Sequence, residues 1–105
     1  MATPLDPQAA ILKEFGMYYN ADELGNFYPD RLGGRADRSA ARLSRILGDR
    51  ASEAAELLRE LAANPEHPLF VQIEIQTMYG WNDGAESRAV FQELACRIAD
   101  GITSN

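Results

Sequence analysis

The chain has 105 residues, 46% of them hydrophobic and 25% charged, and a net charge of −6. That is enough apolar material for one modest core and too much for a disordered segment. The negative charge argues against nonspecific nucleic-acid binding, no run approaches the roughly 18–20 apolar residues that cross a bilayer, and a lone cysteine, Cys96, rules out an internal disulfide.

A single helical domain over residues 1–105 is expected, with short flexible ends at 1–5 and 103–105. The stretch Met1–Pro7 lacks the basic start and apolar run of a signal peptide, so a cytoplasmic location is the expectation. The charge is uneven. Residues 31–50 hold six arginines against two acids, a net of +4, which leaves −10 on the remainder.

Asp6-Pro7 is a helix start, a capping side chain followed by proline at the first helical position. Ile11, Leu12, Phe15, Tyr18 and Tyr19 then recur at helical spacing, which predicts a helix to about Asn20. Residues 20–36 are less regular: Asp22 caps a short turn carrying Leu24, Phe27 and Tyr28, and Pro29-Asp30 and Gly33-Gly34 break it. The next helix is expected to open at Asp37 or Arg38, to bury Ala40, Leu43, Ile46 and Leu47, and to end at Gly48. A third, restarting at Asp49 or Ser52, buries Ala54, Leu57, Leu58 and Leu61 and stops at Asn64-Pro65, forming a hairpin with the one before it. The last helix carries Phe91, Leu94, Ile98 and Ile102 on one stripe, with Asp83 and Glu86 as a capping box and Glu93 placed to pair with Arg97.

Residues 69–79 admit two readings. Val71, Ile73, Ile75, Thr77 and Tyr79 alternate with Gln72, Glu74, Gln76 and Met78, the period of a strand. No second strand is evident to pair with it, so the alternation implies either a partner strand across a dimer or a helix opened by Pro68 with Phe70, Ile73 and Thr77 inside. The fold expected is therefore all-α, a small bundle of four to five short helices; the other reading is α+β, with 69–79 as a strand paired across a dimer.

No constellation for catalysis is present. His67 is the only histidine and has no recognisable nucleophile near it. Cys96 falls beside the last helix's apolar stripe and is expected to be buried. Metal-ligand pairs, calcium-loop spacing and a complete glycine-rich phosphate loop are all absent from the sequence, so no metal and no cofactor are expected.

Two groups suit contact with another molecule. Arg35, Arg38, Arg42 and Arg45 lie on one face of a continuous helix, either as a solvated row paired with the chain's own acids or as an anion-binding row. The aromatic groups are Tyr18, Tyr19, Phe27 and Tyr28, and Met78, Tyr79 and Trp81. These residue types are enriched at interfaces, and they equally suit the edge of a small core. A helix–turn–helix reader around Gly48 fails because the third helix carries Glu53, Glu56 and Glu60 against Arg59.

The function expected is a non-catalytic interaction module, either an accessory subunit or a small homodimer, with a protein partner or a second copy and neither DNA nor membrane. A second reading is a small-molecule binder or enzyme with a pocket lined by Tyr18, Tyr28, His67 and Trp81. A third is anion or RNA contact through the arginine row.

Overall fold

The computed structural model describes residues 6–20 and 32–104. Over these residues the chain is all-α. Its helices are α1 (Pro7–Tyr18), α2 (Leu32–Leu47), α3 (Ala51–Ala63), α4 (Pro68–Thr77) and α5 (Ala85–Thr103), with one 3-10 turn, Gly48–Arg50, between α2 and α3.

α1 starts as its sequence dictates: the Asp6 carboxylate accepts the backbone N–H groups of Gln8 and Ala9, and Pro7 takes the first position. α2 opens earlier than expected, at Leu32, so Gly33 and Gly34 lie inside it. A Cβ on Gly33 would meet the Arg97 guanidinium on α5 at 2.7 Å, whereas Gly34 faces open space. Gly48, at φ 56°, ends α2 in the left-handed conformation that glycine reaches without strain. α2 and α3 pack less on each other than on α5, which is the central helix. At one α2–α5 crossing a Cβ on Gly101 would meet Ala40 Cβ at 2.6 Å, so the two backbones approach more closely than alanine permits.

α5 buries Val90, Phe91, Leu94, Ala95, Ile98, Ala99 and Ile102. Its expected capping box does not form: Gly84 is the N-cap, with no side-chain bond to the first turn. Cys96 is exposed rather than buried, because it lies outside the arc that Leu94, Ala95, Ile98 and Ala99 turn inward. The Glu93–Arg97 pair is present at 3.3 Å.

Residues 69–79 are not a strand; they fall in α4 and the turn after it. Pro68 occupies the first turn, and His67 Nδ1 accepts the Leu69 N–H at 3.1 Å. Leu69, Phe70, Ile73 and Thr77 are buried. The strand-like alternation arises because Val71 and Ile75 are apolar yet face outward. Met78, at φ 57°, then turns the chain out of the helix while Tyr79 N–H bonds back to the Glu74 carbonyl.

The turn after α4 drives Trp81 into the centre, fully buried. Its ring lies 5.7 Å from Phe91, 6.4 Å from Phe15 and 4.8 Å from Tyr79, centroid to centroid. The indole N–H donates to Thr77 Oγ1 at 3.0 Å, and that hydroxyl donates to the Ile73 carbonyl at 2.8 Å. α3 has no basic residue in its last turn; Arg88 of α5 supplies one, donating to the Ala62 carbonyl at 2.7 Å with its guanidinium 5.1 Å above the Phe70 ring.

Thr77→Val keeps the shape of that buried corner and strands the Trp81 N–H. Denaturant unfolding is expected to show a loss of about 1–3 kcal/mol, the cost of an unsatisfied buried donor.

Candidate functional site

Burying Glu14 on α1 obliges α2 to supply partners for its carboxylate. Arg42 does so with Nη2 at 2.6 Å and Nε at 3.0 Å from Oε2, and Ser39 Oγ donates to the same oxygen at 2.6 Å. The Tyr19 hydroxyl lies 2.6 Å from Ser39 Oγ and donates to the Arg35 carbonyl at 2.9 Å. Because Ser39 gives its one proton to Glu14, the phenol is the donor at the Tyr19–Ser39 contact, its proton shared with that carbonyl. Burial, with the Glu14 charge nearby, pushes the Tyr19 phenol up to about 12. The hydrogen bond that Arg42 donates to Glu14 pushes its guanidinium further up. That guanidinium also lies 4.0 Å over the Tyr18 ring.

The arginine row divides accordingly. Arg42 turns inward to the ion pair, Arg35 is half-buried, and Arg38 and Arg45 are exposed. Between α1 and α2 runs a groove of about 160 Å³ floored by Ala10, Glu14 and Tyr18 and edged by Lys13, Met17, Arg42 and Ile46. Ile46, expected in the core, stands on this edge.

The aromatic candidates also separate. Tyr19 and Trp81 are fully buried and belong to the core, so neither offers a contact surface. Tyr79 is half-buried, its hydroxyl 3.1 Å from Ser87 Oγ. Met78 is exposed. Phe27 and Tyr28 lie outside the described residues. With Tyr28 outside, the residues named for a small-molecule pocket do not meet: Trp81 is enclosed, His67 caps α4, and only Tyr18 lines the α1–α2 groove. His67 Nδ1 is committed as an acceptor, and its Nε2 faces Glu60 at 3.8 Å.

The feature missed in the sequence is the outer face of α4. Val71 is 49% exposed, Ile75 71% and Met78 84%, at spacings of four and three residues. Its signal was already in the alternation: an apolar residue at every second position of a helix necessarily populates both faces. Among the described residues no group of His, Cys, Asp and Glu is arranged to hold a metal, and no helix is long and apolar enough to cross a membrane. Comparison with protein-family models, curated proteins and solved structures returns no match.

Glu14→Gln leaves Arg42 without its carboxylate. The expected loss is at the lower end of the about 3–5 kcal/mol typical of a broken buried pair, because Arg42 keeps 24% of its side chain exposed. Tyr19 makes a second prediction. Its folded-state pKa is raised above the unfolded value of 10, so its stabilising contribution is complete below pH 10 and is lost as pH rises towards 12. Tyrosinate absorbance during alkaline titration is expected to show one of the four tyrosines ionising last, together with unfolding.

Proposed function

We propose that the protein is a non-catalytic interaction module that associates with a second copy of itself through the outer face of α4. The carrying observation is that this face is apolar, with one half-buried carboxylate at its edge. Val71, Ile75 and Met78 form the stripe, flanked by Gln72 and Gln76. The one charged residue of α4, Glu74, is half-buried and accepts the Asn82 N–H at 3.2 Å.

Every other described helix carries charge on its exposed side: Lys13 on α1, Arg38 and Arg45 on α2, Glu53 and Glu56 on α3, Glu93 and Asp100 on α5. Two copies at −6 each repel. A two-fold axis sets each residue near its own symmetry mate, so a self-contact favours the face with the fewest like charges. The α4 face is that one, whereas a partner recruited by charge would gain nothing there. The backbone points the same way. Met78 holds a left-handed conformation that glycine or asparagine normally takes, and it places a long, adaptable side chain at 84% exposure. Such local strain is retained where a surface is in use. The stripe is small, so the contact is weak and dependent on concentration.

Sedimentation velocity over a concentration series is expected to show a reversible monomer–dimer equilibrium for the native chain. Ile75→Glu is expected to weaken it at least about tenfold with unfolding unchanged, since the side chain is exposed. Met78→Gly separates the two roles: it relieves about 1 kcal/mol of backbone strain and so stabilises the monomer, yet weakens the dimer. A native chain that stays monomeric at millimolar concentration would remove the proposal.

A further inference from the structure

We propose that the groove between α1 and α2 is a second docking site, one that takes an acidic segment of another protein and seats a single apolar side chain between Met17, Tyr18 and Ile46. This rests on observations separate from the α4 face. Met17 is 53% exposed and Ile46 45%, two of the few large apolar side chains left open in the described residues, and they stand on opposite edges of one groove. At about 160 Å³ the space suits one side chain rather than a metabolite, whose pockets run to several hundred Å³.

The charge around the groove names its ligand. Lys13 stands on one edge, and Arg38 and Arg45 lie about one helical turn from Arg42 on the outer side of α2; all three are exposed, and among the described residues none is seen in an ion pair. The groove's one acid, Glu14, is buried and neutralised by Arg42. Among the described residues, three exposed cations thus stand without an acidic partner near an apolar notch. Cations flanking aliphatic side chains complement a peptide with an apolar residue between carboxylates. A nucleic-acid strand would instead find no exposed stacking platform among these residues. The site is also preorganised. Arg42 is held by Glu14 on one side and by the Tyr18 ring on the other, so the floor is already ordered before a partner arrives.

The test is an amide NMR titration of the full chain with three probes: a synthetic peptide with leucine between glutamates, its glutamine analogue, and a single-stranded RNA oligonucleotide. The glutamate peptide is expected to shift resonances of Lys13, Met17, Arg45 and Ile46 together, and to bind at least about tenfold more tightly than the glutamine analogue, with affinity falling as salt rises. Lys13→Glu with Arg45→Glu is expected to abolish the preference, and Ile46→Asp to weaken both peptides; all three positions are exposed, and far-UV dichroism checks that the fold persists. Ile75→Glu is expected to leave the titration unchanged, which separates this site from the α4 contact. Equal binding of both peptides, shifts centred elsewhere, tighter binding of RNA at the same residues, or no shift at millimolar peptide would each overturn the proposal.

Discussion

The Glu14 carboxylate sets the packing of α1 on α2, on which the proposed groove depends. A buried carboxylate is tolerated only with partners, and the partners here, Ser39 and Arg42, both come from α2. Satisfying them fixes the register of α1 on α2. The same register brings Tyr19 to Ser39, stacks Arg42 on Tyr18, and leaves Met17 facing Ile46 across a groove. One arginine of the row is thereby consumed, and its neighbours Arg38 and Arg45 remain at the surface.

α1 is the hinge between the two proposed contact faces. Its Phe15 ring reaches Tyr19 at 5.2 Å and Phe91 at 5.5 Å, while its far side packs on α4. The core beneath α4 is complete: Phe70, Ile73 and Thr77 point inward, and the Trp81–Thr77 bond closes the turn that follows. Val71, Ile75 and Met78 are therefore not needed inside. Their exposure costs the monomer the burial each would have gained, roughly 1.5–3 kcal/mol per large apolar side chain, and the proposed self-contact would restore part of it.

Much of the fold was legible in the sequence because local signals agreed with packing. Asp6-Pro7, Gly48, Asn64-Pro65 and the Phe91–Ile102 stripe all mark what they predict. Other features depend on a partner distant in sequence. Gly33-Gly34 reads as a break, yet α2 runs through both, with Arg97 of α5 against Gly33. Residues 69–79 are helical, as the all-α reading expected; the strand alternative arose because their alternation sums an inward and an outward apolar face. For the candidate site, the arginine row was visible, but the inward turn of Arg42 was not, since it depends on Glu14 twenty-eight residues away. Tyr19 and Trp81 suited either a core or an interface by type alone, and only the positions of Ser39 and Thr77 place them inside.

The central claim is that α4 presents an interface to its own copy. Intermolecular nuclear Overhauser effects in a mixture of differently isotope-labelled chains address it directly. The account predicts cross-peaks that join the methyl groups of Val71, Ile75 and Met78 on one chain to the same residues on the other. Cross-peaks from another surface, or none at millimolar concentration, would contradict it.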